Sequence, residues 1–180
     1  LSFEIDSPVI VCLHLKEIYE QEKEWKKAID ISERIQSISN ENLSDTISHY
    51  YCELAENEII LSTEENLYEA KKYINKALNY NKKSVRALIL LGDVSFQNKK
   101  FNEALKRYIG IFDSYPDFSY LVLEKLKITY EKLGTNENFF TFIKSLSSIR
   151  NPMELYSNLS NYIPKNMSNE DISELYNTEF

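Results

Sequence analysis

The chain has 180 residues, 43% hydrophobic and 27% charged, with a formal net charge of −7 and a pI near 5.0. That mixture fits one or two soluble globular domains or a short repeat array. The acidic balance excludes a nucleic-acid surface, which needs a basic stripe, and no apolar run approaches the roughly 18 residues that would span a membrane. Three Gly and four Pro leave little material for hairpins and tight turns, whereas 13 Tyr and nine Phe are ample for a buried seam. Cys12 and Cys52 set no disulfide framework and are expected reduced and packed in helices. The chain opens on Leu1 without a signal-peptide pattern, and it is expected to be a piece of a longer protein.

From the amino end, Ser7-Pro8 reads as a helix entry, since proline is tolerated in a first turn. Val9 to Tyr19 carries apolar Leu15, Ile18 and Tyr19, with Leu13 beside them. Glu20 to Glu24 breaks the pattern, and Trp25, Ala28, Ile31 and Ile35 form a second apolar face at helical spacing. After a polar stretch from Ser39 to Asp45, Tyr51, Leu54, Ala55 and Ile59 mark the next helix. Leu67, Ala70, Ile74 and Ala77 mark its partner. The Ser62–Asn66 segment reads as a turn, with Ser62 and Glu65 as a capping box.

The clearest stretch is Val85 to Phe118. Leu88, Leu91, Gly92 and Phe96 lie on one helix. Phe101, Ala104, Tyr108 and Ile111 lie on a second, with Gln97-Asn98-Lys99-Lys100 between them and Pro116 at the end. Small residues at Gly92 and Ala104 let paired helices cross closely. This order is the tetratricopeptide signature, with a period of roughly 34 residues. Ala70 precedes Ala104 by 34 residues and follows Ala28 by 42. The longer interval is expected to place about five extra residues before Thr46 and three in the Ser62–Asn66 turn.

Tyr120 to Leu133 is expected as one helix bearing Leu123, Leu126, Lys127 and Tyr130, closed by Gly134 as a C-cap. Phe139, Phe140, Ile143 and Leu146 follow as its partner, with Phe139 in the slot of the small residue. Asn151-Pro152-Met153-Glu154 starts a short helix, Pro164 stops it, and Ser168 to Asp171 is another capping-box pattern. The predicted architecture is all-α: one right-handed tetratricopeptide solenoid of antiparallel helix pairs over 1–180. Its repeats fall at about 9–42, 48–84, 85–118 and 120–150, with a partial one at 152–180.

Three blocks carry a narrower likeness: Glu24-Trp25-Lys26-Lys27-Ala28-Ile29-Asp30, His49-Tyr50-Tyr51-Cys52-Glu53-Leu54-Ala55, and Tyr130-Glu131-Lys132-Leu133-Gly134. Over about residues 5 to 147 they resemble the lipopolysaccharide assembly protein B (LapB/YciM) family of bacterial inner-membrane tetratricopeptide proteins. The resemblance implies a non-catalytic adaptor on the cytoplasmic side of the inner membrane. It also implies two protein partners, the lipid A deacetylase LpxC and the membrane protease FtsH. The family's membrane anchor and zinc ribbon have no counterpart in this stretch: a ribbon needs paired C-x-x-C knuckles. This fragment is therefore expected to make no membrane contact itself. The alternative is a peptide-binding or assembly scaffold of the same fold unrelated to lipopolysaccharide.

No catalytic, cofactor or metal site is expected. His14 and His49 have no Cys or His at ligand spacing, and Cys52, three residues from His49, is expected to be structural. The single glycines form no phosphate loop. The acid pairs Glu64-Glu65 and Glu170-Asp171 sit at helix starts, where the dipole favours them. Candidate protein-binding residues come from the inward positions of each first helix. These are Leu13, Glu17, Glu20 and Gln21; then His49, Cys52, Glu56, Ile59 and Ile60. In the clearest repeat they are Arg86, Ile89, Asp93, Phe96 and Gln97, and in the last Leu121, Glu124, Ile128 and Glu131. The set is acidic and apolar, so the predicted groove takes a basic or amphipathic partner surface rather than an acidic peptide tail.

Overall fold

The computed structural model describes residues 8–135, 138–139 and 141–142. Residues 8–133 form seven α-helices and one 3-10 helix, residues 138–139 and 141–142 are also helical, and no strand occurs among the described residues. The helices are α1 (Pro8–Gln21), α2 (Trp25–Ser39), α3 (Ser44–Leu61), α4 (Glu64–Tyr80), α5 (Val85–Gln97) and α6 (Phe101–Ser114). The 3-10 helix Pro116–Val122 leads into α7 (Leu123–Leu133). The chain divides into two compact units between Lys100 and Phe101. Helices α5 and α6, the expected third pair, therefore belong to different units. The elements expected from Ile143 onward, and Phe140, lie outside the described residues.

In the first unit each helix packs on its chain neighbour, and α5 also touches α3. Helices in contact and joined by such short connectors run antiparallel, giving the stacked helix pairs of a tetratricopeptide repeat. The core lies where the sequence periodicity places it. Ala28, Ile31 and Ile35 of α2, Ala55 and Ile59 of α3, and Leu67, Ala70, Ile74 and Ala77 of α4 are all buried. Burying side chains of the size of Ile74 contributes about 1.5–3 kcal/mol each. The alanines contribute differently: they let the helix axes approach.

Helix α1 differs from expectation. Cys12 is its buried residue, with Leu13, Leu15 and Tyr19 packed partly against the core, while Ile18 is 45% exposed. On α5, Ala87, Leu90 and Val94 join the first unit's core, while Leu88 is only half-buried. Gly92 is buried on the same helix.

The inserted residues also take an unexpected form. The connector between α3 and α4 is only Ser62 and Thr63, not a lengthened turn. Helix α4 begins six residues before Ala70, whereas α2 begins three before Ala28 and α6 three before Ala104. The three extra residues have become helix, lengthening this hairpin by close to a turn. The cap is shifted accordingly. Ser62 has φ 55° and closes α3 in the left-handed conformation, its N–H donating to the Glu58 carbonyl. Thr63 is the N-cap of α4, its Oγ1 accepting from the Asn66 N–H at 3.2 Å. Ser62 cannot cap α4 because it is already the end of α3.

In the second unit Ala104, Tyr108, Ile111 and Phe112 are the buried side chains of α6. The segment expected as one helix from Tyr120 starts instead as the 3-10 turn, with Pro116 in its first turn, and becomes α-helical at Leu123. Leu123, Leu126 and Tyr130 are buried as the periodicity predicts, with Val122 and Thr129 beside them. Gly134 caps α7 at φ 70°, the positive value that favours glycine. Phe139 is buried against Tyr130, their ring centroids 5.9 Å apart, and Phe142 meets Phe112 edge-on at 5.2 Å.

Candidate partner-binding face

Helix α3 presents His49, Glu53, Glu56 and Ile60 at offsets of four, three and four residues, which puts them on one helical face. Arg86, near the start of α5, reaches this face. Its Nη2 lies 2.7 Å from Glu53 Oε1 and 2.8 Å from Glu56 Oε2, and its Nε donates to Glu56 Oε1 at 3.3 Å. Arg86 Nη1 lies 2.8 Å from His49 Nδ1. A guanidinium only donates, so Nδ1 is the acceptor and the neutral ring carries its proton on Nε2. That nitrogen faces Glu53 Oε1 at 3.6 Å. Partial burial pulls the Arg86 pKa down, but the hydrogen bonds it donates to Glu56 and Glu53 outweigh that and hold the group above its ordinary value.

An aromatic group adjoins these charges. Trp25 of α2 stacks on Tyr50 with centroids 5.8 Å apart and meets His49 edge-on at 6.4 Å. Tyr50 is buried and its hydroxyl donates to the Glu20 carboxylate of α1. Burial first, and that hydrogen bond second, push the phenol pKa well above normal. Lys16 holds the same carboxylate at 3.2 Å. Four helices of the first unit thus meet through one network of carboxylates, rings and a guanidinium.

Of the predicted positions, His49, Glu56 and Arg86 come together here, and Glu20 joins through Tyr50. Ile60 is 77% exposed, one turn beyond Glu56. Glu17, Gln21 and Gln97 are exposed, and Leu13, Asp93 and Phe96 are half-buried. Ile89, Cys52 and Ile59 are buried. Glu124, Leu121, Ile128 and Glu131 are exposed in the second unit, Glu131 lying 4.0 Å from Lys127. The inward-position reading passed over Glu53, Trp25 and Tyr50. Glu53 carried a signal, four residues after His49 on the same face. The ring contacts join different helices and have no signature in local spacing.

The arrangement offers little for chemistry on a bound molecule. Burial raises the Cys52 thiol pKa; Arg86 and a hydrogen bond from Ser84 oppose that only in part. A thiol held in that form is a poor nucleophile. Among the described residues no group of three His, Cys, Asp or Glu is placed to hold a metal, and no helix is long and apolar enough to cross a membrane. What the face can do is present carboxylates, a half-exposed imidazole and an apolar side chain to another surface.

No protein-family model matches the chain. It is similar to lipopolysaccharide assembly protein B of Haemophilus influenzae, at 29% identity over 138 residues, covering 77% of this chain and 34% of that protein. The Escherichia coli K12 protein of the same name is 26% identical over 144 residues, covering 80% of this chain and 36% of that protein. The resemblance read from the three sequence blocks is thereby shown, and the chain spans about a third of the length of the curated relatives it matches. A solved tetratricopeptide repeat protein from Parabacteroides merdae is a loose likeness. Its TM-score is 0.42 at 15% identity, covering 95% of this chain and 70% of that one.

Proposed function

We propose that this chain is the partner-holding repeat region of a non-enzymatic adaptor for lipopolysaccharide assembly. It works at the cytoplasmic side of the inner membrane, and it brings the deacetylase LpxC to the protease FtsH. The observation that carries the reading is the similarity to lipopolysaccharide assembly protein B over about four-fifths of the chain. The mechanism is tethering: holding a substrate beside a protease raises its local concentration without any chemistry by the holder.

The face on α3 and α5 is the proposed contact. Glu53 and Glu56 share one guanidinium, so the network keeps an excess negative charge, and Glu17 adds another carboxylate on α1. A basic or amphipathic partner surface suits it, with an apolar side chain against Ile60. The test is to recover the intact protein from its own cells, as parent and as the charge-reversed Glu53→Lys/Glu56→Lys variant. LpxC and FtsH are expected with the parent, and a reduced yield of one of them with the variant. Recovery of neither from the parent contradicts the proposal.

A further inference from the structure

The contact between Arg86 and His49 depends on a proton. We propose that His49 is a proton-operated latch between the second helix pair and α5, in which protonation moves Glu53 from Arg86 to His49. This goes beyond the adaptor reading and does not rest on it, because the latch lies wholly within the first unit and needs no partner.

The direction of each hydrogen bond sets what a proton does. With the ring neutral, Arg86 Nη1 donates to Nδ1 at 2.8 Å, and the same guanidinium holds Glu53 and Glu56. A proton can enter the ring only at Nδ1, the nitrogen whose lone pair takes the Arg86 hydrogen. Once it does, both groups are donors, and the contact turns from attraction to repulsion between two cations. Glu53 Oε1 already lies 3.6 Å from Nε2 and 2.7 Å from Arg86 Nη2. The new imidazolium therefore has a carboxylate within reach, and Arg86 falls back on Glu56 alone. One of the two carboxylates joining α3 to α5 is lost to a pair within α3.

The surrounding groups leave this exchange to these four residues. Trp25 of α2 and Tyr50 of α3 present rings to His49, not charges. Glu20 of α1 is engaged by Tyr50 and Lys16. Asp45, one turn earlier on α3, accepts from Asn81 at 2.8 Å in the connector that follows α4. Lys82 and Lys83 of that connector are exposed.

The experiment is nitrogen-detected NMR of the imidazole rings in the full 180-residue chain, from about pH 8 to about pH 5, where an imidazole changes charge. His14, the only other histidine, serves as the internal reference. At the upper end His49 is expected as the Nε2–H tautomer, with Nδ1 shifted as an acceptor. As the ring protonates, the Arg86 side-chain N–H signals should move and exchange faster in step with it, while those of Arg34 do not. A second measurement uses His49→Gln, whose amide oxygen can accept from Arg86 at every pH. The melting temperature of the parent relative to this variant should fall by about 1–3 °C on going from the upper to the lower pH. An Nδ1–H tautomer at the upper end overturns the latch. So do Arg86 signals that ignore the titration, or a parent–variant difference that does not change with pH.

Discussion

The two units are built from the same kinds of residue and differ in regularity. In the first, α2 and α4 set Ala28, Ala70 and Ala77 into the core, and the connectors carry defined caps: Thr63 before α4 and Ser84 before α5. In the second, α6 keeps a buried small residue in Ala104. The chain then passes through a 3-10 turn before α7, and a large ring, Phe139, is buried against Tyr130. Where small residues recur at a fixed place on each helix, axes approach and regular pairs stack. A large ring such as Phe139 fills the space between helices instead of letting their axes approach.

Substituting the small residues breaks the comparison most sharply. Ala70→Arg and Ala104→Arg each force a long cation into a fully buried site and should cost at least about 1–3 kcal/mol, with loss of cooperative melting by circular dichroism as the extreme. If either variant melts like the parent, the assigned helix register is wrong. Thr63→Ala removes a cap that the second unit lacks at the start of α7. It should cost about 0.5–2 kcal/mol in urea unfolding, while Ser62→Gly, at positive φ, should be neutral or stabilising. The opposite ranking would restore Ser62 as the cap.

Tyr80 gives a smaller, pH-dependent effect. Its hydroxyl donates to Glu33, and that hydrogen bond first, with burial second, pushes the phenol pKa up to about 12 from 10.0. A raised pKa means that the folded state favours the neutral phenol. The stabilisation is full below about pH 10 and is lost as the pH climbs through about 12. The stability gap between parent and Tyr80→Phe should therefore be widest below pH 10 and close above it; a constant gap denies the Glu33 bond. Least disturbing of all is Ile60→Ser. At an exposed site it should leave stability within about 0.5 kcal/mol, yet it should weaken capture of a partner if the α3 face is the contact.

Much of the first unit was legible because burial there follows a single period. On α4 the apolar positions Leu67, Ala70, Ile74 and Ala77 are the buried ones, and Gly134 was legible as a cap because few residues tolerate positive φ. Ile18 misled because α1 has two apolar faces and the period alone does not say which one meets α2. The insertion misled because three extra residues in a polar, acid-rich segment read equally as a longer turn or longer helices. Adjacent Ser62 and Thr63 gave two candidate caps, and only the end of α3 decides between them. The Val122–Leu123 boundary was hidden because 3-10 and α segments share the apolar pattern Val122, Leu123, Leu126. For the candidate face, His49, Glu56 and Arg86 were found from repeat position. That Arg86 joins them was not, since it lies 37 residues from His49 along the chain, and one sequence carries no record of contacts between helices.

Amide hydrogen exchange across the first unit is the most direct test of the stacked, lengthened helix pair. Exchange should be slow through the middle of each of α1 to α5, with α3 protected to Glu58 and α4 from Leu67 onward. Between α3 and α4, only the Ser62–Thr63 connector and the adjoining helix-end amides should be fast. Fast exchange running through both flanking turns, from about Leu54 to about Ala70, would make the insertion a loop and contradict that pair.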